Sequence, residues 1–286
     1  MSFLLRIGGS KITMKTVLPG FKRGIFITLT WLGSMVVLPL LLLLLSALQL
    51  DGKDIWQIIV SERVVSSIWL SFRMAFVATV INVIFGFLLA WILVRYDFPG
   101  KLFINGFIDL PFALPTAVAG IALASLYSPT GLVGGFLAQL GIQIAYTPSG
   151  IAVALVFVSL PFVVRAIQPV LANLDPSFEE AAHILGAGKF TTLRKVILPA
   201  LLPAIVGGAG MGFARSLGEY GSVIFIAGNV PLVSEIAPLI IMSKLDLYDV
   251  KGASVVALFM LTISFILILL INIAQWSFTK RISQVR

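Results

Sequence analysis

Long apolar stretches without Asp, Glu, Lys or Arg place the strongest constraint on this chain. A bilayer core is about 30 Å thick, and a helix rising about 1.5 Å per residue needs about 20 apolar residues to cross it. Five stretches reach or approach this length, at residues 25–50, 74–94, 110–164, 196–214 and 252–279. A helix also satisfies its own backbone polar groups inside lipid. The sequence therefore predicts an all-α integral membrane protein.

The longest stretch, 110–164, exceeds one crossing and contains turn sequences at Ser128-Pro129-Thr130-Gly131 and at 146–150. It predicts two crossings joined by a loop and a short helix. Six transmembrane helices result, and we expect them at residues 25–49, 65–94, 103–127, 150–171, 195–226 and 254–277.

Composition excludes several functional classes. Hydrophobic residues make up 59% of the 286-residue chain and charged residues 11%, against about 25% charged in soluble domains. The net charge of +8 is scattered between apolar runs, which is unlike the concentrated basic face of a nucleic-acid-binding protein. The absence of cysteine excludes disulfides, zinc ribbons and iron–sulfur sites, and the single histidine, His183, excludes a multi-histidine metal cluster. We expect membrane lipid around the chain and no metal, cofactor or nucleic acid bound to it.

The distribution of Lys and Arg predicts the orientation, because cytoplasmic loops carry the excess. Thirteen of these residues fall in the two tails and in the connections 95–102 and 172–195, whereas four fall in the alternate connections. We therefore expect cytoplasmic tails at 1–24 and 278–286, flanking one transmembrane domain at 25–277. A secretory signal is the competing interpretation of the first 50 residues, but its apolar core should be about 7 to 15 residues long rather than 26.

The connection 172–195 contains a short helix signal. Asp175 followed by Pro176 is a good N-terminal cap, while Ser177 and Glu180 have capping-box spacing one register later. Gly186 or Gly188 would supply the left-handed stop. A helix of about ten residues is too short to persist alone in water, so it must pack on its own bundle or on a partner. Its predicted apolar face consists of Phe178, Ala181, Ala182 and Leu185.

This segment resembles a known family motif. Glu180-Ala181-Ala182, three residues, Gly186, nine residues and then Val196-Ile197-Leu198-Pro199 resemble the EAA signature of ATP-binding cassette (ABC) importer permeases, with Val196 at a position usually occupied by Ile. In that family the loop forms a coupling helix that docks into the cytoplasmic ATPase. The resemblance implies coupling roles for Glu180, Ala181, Ala182 and Gly186. The alternative is an amphipathic surface helix that merely ties two spans together.

Two further segments resemble a smaller group within this family, the permeases for inorganic oxyanions. Residues 109–120 (DLPFALPTAVAG) look like the third-span segment of sulfate and molybdate permeases. Residues 214–229 (ARSLGEYGSVIFIAGN), followed by 234–238 (SEIAP), are similar to the T-subunit class of sulfate/thiosulfate importers. Molybdate and tungstate permeases share the Gly-Glu-aromatic-Gly core, so a molybdate/tungstate importer remains the alternative.

A path for a sulfate dianion needs hydrogen-bond donors, because dehydrating the anion in a low dielectric is costly. Pro111 and Pro115 bend or break the third span, either to line a cavity or to accommodate packing. Arg215 and Glu219 lie four residues apart, and we favour a pair between them over a free Arg215. Arg73 could line the cavity, pair with Glu219 or reach an interface. The candidate path residues are Thr116, Arg215, Ser216 and Ser222.

The partners follow from what the chain lacks. It contains no Gly-x-x-x-x-Gly-Lys-Ser/Thr phosphate loop and no evident catalytic residues, so any ATP chemistry would come from a separate polypeptide. The resemblance implies two ATP-binding cassette subunits that bind Mg-ATP. The resemblance implies a second, related permease subunit and an extracytoplasmic sulfate/thiosulfate-binding protein at the bacterial inner membrane. A secondary anion transporter would need intramembrane carboxylates, of which only Glu219 and Asp109 are available. An intramembrane enzyme would need a buried catalytic pair, and none is evident.

Overall fold

A computed structural model describes residues 6–7, 10–11 and 21–283. In this range six helical stretches are long and apolar enough to cross a membrane, as the sequence predicted. Their bounds are Arg23–Ala47, Glu62–Arg95, Thr116–Gln139, Pro148–Ala172, Lys189–Leu217 and Val250–Ile273. The basic residues Lys15 and Arg286, which entered the topology count, lie outside the described residues, as does most of the tail 1–24. Arg6–Ile7 (β1) pairs with Ser10–Lys11 (β2) in an antiparallel register.

The first span lies on the outside of the bundle. It consists of α1 (Phe21–Leu32), a π-helical turn (Gly33–Val37) and α2 (Leu38–Ala47). In its most apolar window no residue is buried by the rest of the chain. A short amphipathic helix, α3 (Gly52–Val60), then leads into the second span. The first span therefore offers its apolar surface to lipid or to another chain.

Two long helices in side-by-side contact form the centre: α4 (Glu62–Arg95) and α8 (Pro148–Ala172). A Cβ added at Gly86 of α4 would lie 3.1 Å from Val163 Cγ1, so the missing side chain allows close approach. Asn82 fixes the register by donating to the carbonyl of Val156 at 3.0 Å and to Ser159 Oγ at 2.8 Å.

The third span is broken. Helix α5 (Lys101–Ala113) contains Pro111 in its interior and ends before Leu114 and Pro115, which are extended. Helix α6 (Thr116–Tyr127) then restarts, followed by the predicted short helix α7 (Leu132–Gln139). The third span is therefore broken rather than only bent, because Pro115 has no N–H to continue the ladder. The expected span 103–127 therefore divides, and the apolar crossing stretch runs across α6 and α7.

The fifth span ends earlier than the predicted residue 226. Helix α9 (Ser177–Ile184) precedes the observed crossing stretch. That stretch consists of α10 (Lys189–Thr192), a π-helical segment (Leu193–Ile197) and α11 (Leu198–Leu217). The prediction of one helix to residue 226 was wrong: α11 ends at Leu217, and the separate α12 covers only Val223–Ile226. The chain completes the bundle with α13 (Ala237–Asp246) and α14 (Val250–Ser283).

Candidate coupling loop and translocation path

Helix α9 is capped by Asp175. The backbone N–H of Ser177 donates to Asp175 Oδ1 at 2.9 Å, and this hydrogen bond lowers the pKa of the Asp175 carboxyl below its usual value. Glu179 and Glu180 occupy the first turn, where carboxylates favour the positive end of the helix dipole. Of the two registers that the sequence allowed, the structure therefore has the one capped by Asp175.

Gly186 ends the helix. Its φ of +81° is left-handed, a conformation that costs L side chains free energy. The N–H of Gly186 donates to the carbonyl of His183, and the N–H of Ala187 donates to that of Ala182, both at 2.9 Å. This is the paired pattern of a Schellman motif, and it selects Gly186 over Gly188 as the stop.

The exposed surface of α9 differs from the predicted apolar face. Ala182 is buried against the rest of the chain, whereas Glu180, Ala181 and His183 are exposed. Phe178 is 45% exposed and Leu185 is 86% exposed. Of the predicted apolar face, the chain therefore buries Ala182 and leaves Phe178 and Leu185 largely uncovered. Large apolar side chains exposed at this end of the bundle are Phe178, Ile184, Leu185 and Phe190.

Glu179, which the sequence analysis did not select, ties α9 to the bundle. It forms an ion pair with Arg95, the last residue of α4. The two residues are 84 positions apart in sequence, so no local spacing rule could have identified the pair.

The candidate path residues gather around Glu219. This carboxylate is buried, and Arg215 Nη2 lies 2.7 Å from its Oε2, which confirms the predicted pair. The backbone N–H and the hydroxyl of Ser222 both donate to Glu219 Oε1 at 2.9 Å. Arg215 keeps 33% of its side chain exposed, whereas the Glu219 side chain is enclosed.

Thr116 and Ser216 complete this cluster. Gly221 lies so close to Thr116 Oγ1 that an added side chain would collide with it, and Gly120 of α6 lies equally close to the backbone of Ser222. The start of α6 therefore packs directly on the segment 219–222. Ser216 is buried, and its hydroxyl has no hydrogen-bond partner among the described residues.

Arg73 does not pair with Glu219. It is exposed on α4 and makes no hydrogen bond or ion pair with the part of the chain that the structure describes. The other four arginines of α4, α8 and α11 each have a carboxylate partner; these pairs are Arg63–Glu235, Arg95–Glu179, Arg165–Asp109 and Arg215–Glu219.

The Arg165 pair belongs to a polar network that the sequence analysis did not identify. Arg165 Nε donates to Asp109 Oδ1 at 2.8 Å, and Nη1 donates to Asn105 Oδ1 at 2.9 Å and to Gln168 Oε1 at 2.6 Å. This network fastens α5 to α8. Elsewhere in the described ranges, no group of three or more His, Cys, Asp or Glu side chains is arranged to hold a metal ion.

The bundle thus combines six helical stretches able to cross a membrane, a loop helix with exposed apolar side chains and a polar cluster beside a broken span. Residues 82–284 match the family described as "Binding-protein-dependent transport system inner membrane component", and the chain belongs to this family. It is thus a multi-pass membrane permease subunit.

Individual proteins similar to this chain give a more specific comparison than the family does. The "Sulfate transport system permease protein CysT" of Salmonella typhimurium is 45% identical over 271 residues, covering 95% of this chain and 98% of the relative. The protein of the same description from Synechocystis sp. is 46% identical over 249 residues, covering 87% of each chain. Among solved structures, a bacterial ABC transporter involved in alginate import matches with a TM-score of 0.73 at 15% identity, over 90% of this chain and 95% of that chain. This structural match supports the fold alone.

Proposed function

We propose that this chain is a permease subunit of an ATP-driven importer that moves sulfate or thiosulfate across the bacterial inner membrane. The observation that carries the proposal is identity of 45% over 95% of the chain to a protein named as a sulfate transport permease. The EAA-like helix α9 and the Arg215–Glu219 cluster lie within the matched region.

The loop 173–188 is the proposed contact with the ATPase. Glu180 and Ala181 are exposed on α9, and apolar Phe178 and Leu185 flank them. Exposed apolar groups of this kind favour burial in a partner groove. Gly186 sets the exit angle of the chain through its left-handed cap, and Ala182 seats the helix on the bundle. ATP and Mg²⁺ would bind the two partner subunits, since this chain has no phosphate-binding loop.

The orientation follows from this assignment. The loop 173–188, and both termini with it, would face the cytoplasm, where ATP is available. The opposite end of the bundle, including residues 229–236, would face the extracytoplasmic binding protein. A second, related permease subunit would complete the pathway, and the first span supports such a partner because no residue in its most apolar window is fully buried within this chain.

The cluster around Glu219 is the proposed translocation path, with Thr116, Arg215, Ser216 and Ser222 on its border. A dianion leaving water needs charge and donors that replace its hydration. Arg215 supplies a positive charge on a partly exposed side chain, and the unpartnered hydroxyl of Ser216 supplies a further donor. Glu219 neutralises Arg215 in this conformation, which would keep the anion from being held too tightly.

Uptake into proteoliposomes tests the whole proposal. The chain would be reconstituted with its partner permease and ATPase subunits, and uptake of radiolabelled sulfate measured with ATP inside and binding protein outside. We expect uptake to require both ATP and the binding protein, and ATP hydrolysis to rise with sulfate or thiosulfate. Stimulation by molybdate alone would make the chain a molybdate permease. Uptake driven by a proton or sodium gradient without ATP would contradict an importer.

A further inference from the structure

Helix α4 is attached by ion pairs to loops at both of its ends. At its last residue, Arg95 pairs with Glu179 of α9. Near its first residue, Arg63 donates from Nε and Nη2 to the two carboxylate oxygens of Glu235, at 2.7 and 2.6 Å. At about 1.5 Å per residue, its 34 residues make a rod of about 51 Å. One continuous helix therefore joins the loop 173–188 to the loop 229–236 on the opposite side of the bundle.

The Arg95 end is held firmly. The guanidinium carbon of Arg95 lies 5.5 Å from the centroid of the Trp91 ring, one turn earlier on the same helix. Trp91 in turn packs against Phe87, with ring centroids 6.0 Å apart. Arg95 Nε is buried without a hydrogen-bond partner among the described residues, and 23% of the side chain remains exposed. Stacking fixes the guanidinium on α4, and Glu179 accepts from it.

The Arg63 end has additional attachments. Glu235 is buried, and an unpaired carboxylate there would be costly, so Arg63 is its required partner. Ser71 Oγ accepts the N–H of Ala237 at 2.9 Å, and Ser66 Oγ donates to the carbonyl of Leu232 at 3.3 Å. Three residues of α4 thus hold the segment 232–237, which leads into α13.

Helix α9 has a second attachment to the bundle. Its backbone packs mainly on the segment 189–197, which continues directly into α11. Movement of α9 can therefore reach the bundle by two routes: through 189–197 to α11, or through Glu179 and Arg95 to α4. The first route enters the helix that carries Arg215, and the second enters the helix that holds the opposite loop.

We propose that α4 is the mechanical link between the binding-protein side and the ATPase side, with Arg63–Glu235 and Arg95–Glu179 as its two end attachments. The inference rests on the proposed function, in which the loop 173–188 contacts the ATPase. Docking of the binding protein on the side of residues 229–236 shifts α4 through Glu235, and Arg95 passes the shift to α9. Coupling between the two loops is reciprocal, so ATP binding also changes the affinity for the binding protein.

Stimulated ATP hydrolysis by the reconstituted complex tests this link. The ratio of the ATPase rate with sulfate-loaded binding protein to the rate without it is measured for Arg95→Met and for the double variant Arg63→Met with Glu235→Gln, which leaves no unpaired buried carboxylate at position 235. Each change should lower the stimulation at least fivefold, while the unstimulated rate and the yield of assembled complex stay within twofold of the original protein.

A matched control is available at the same end of the bundle. Lys101 Nζ lies 2.8 Å from Asp97 Oδ1, and this pair joins neither α9 nor the loop 229–236. Lys101→Met should leave the stimulation unchanged. Arg95→Lys keeps the positive charge and should retain more stimulation than Arg95→Met. If Arg95 had a purely steric role, the two variants would not differ in this way.

Two results would overturn the inference. Full stimulation in an assembled Arg95→Met complex would remove Arg95 from the link, and full stimulation in an assembled Arg63→Met, Glu235→Gln complex would remove Arg63 from it. If the unaltered complex itself shows no stimulation by loaded binding protein, the proposed function fails, and this inference fails with it. Measurements on the unaltered complex therefore test the proposed function, and measurements on the variants test the role of α4.

Discussion

Arg215 and Glu219 pair across the end of α11, with 2.7 Å between Nη2 and Oε2, although Glu219 lies beyond Leu217, the last helical residue. The turn places the carboxylate in a buried position where it also accepts two hydrogen bonds from Ser222. The pair is therefore a junction between α11, the segment 219–222 and the start of α6.

Removing the charge of Arg215 should impair transport. Arg215→Met alone leaves the buried carboxylate of Glu219 unpaired, which costs about 3–5 kcal/mol for a fully buried pair and less here because Arg215 is partly exposed. The double change Arg215→Met with Glu219→Gln avoids that cost. We expect the double variant to assemble and to take up sulfate at least tenfold more slowly than the original complex. Unchanged uptake by this variant would remove Arg215 from the path.

Gly120→Ala should loosen the junction. The added methyl group would collide with the backbone of Ser222, which cannot move aside as a side chain could. Overpacking of this kind costs about 1–3 kcal/mol, so the thermal unfolding midpoint in detergent should fall. Gly106→Ala in α5 is the matched control, because nothing lies within 4 Å of the added group and alanine favours a helix interior by about 0.5–1 kcal/mol. Equal midpoints for the two variants would contradict the close contact.

Gly186→Val should weaken docking of the ATPase. The left-handed φ of +81° disfavours a β-branched residue, whereas asparagine adopts this region more readily. No heavy atom lies within 4 Å of the added Cβ, so any difference between the two variants reflects backbone conformation and not crowding. We expect co-purification of the ATPase to fall severalfold in Gly186→Val and to be largely retained in Gly186→Asn. Full transport and normal complex yield in Gly186→Val would contradict a coupling role.

Cysteine labelling should separate the two ends of the bundle, because the chain has no cysteine of its own. Leu185 and Tyr248 are 86% and 92% exposed, on loops joined to opposite ends of the crossing helices. In intact cells a membrane-impermeant maleimide should label Tyr248→Cys and not Leu185→Cys. In inverted vesicles Leu185→Cys should react, and bound ATPase should protect it. The reverse pattern would invert the proposed orientation.

Much of the architecture was predictable because it depends on local chemistry. Apolar runs of about 20 residues must form spans in lipid, and Pro115 cannot donate the hydrogen bond that would continue the third helix. The capping hydrogen bonds of Asp175 and Gly186 join residues that are close together in the sequence. Both ends of helix α9 could therefore be predicted from the sequence. The pairing of Arg215 with Glu219 followed from a four-residue spacing.

The tertiary structure decided which distant groups meet. Glu179 pairs with Arg95 and Glu235 with Arg63 across 84 and 172 positions, and no periodicity relates such residues. The end of α11 at Leu217 likewise depends on packing, because the hydrogen bonds of Ser222 to Glu219 and the close approach of Gly120 stabilise a turn where the apolar sequence favoured more helix. Amino-acid order alone was enough to predict the membrane class, the number of crossing helices and the position of the motif loop. Only the folded bundle decided which charges are neutralised, because ion pairs depend on distances in space that the chain order does not encode.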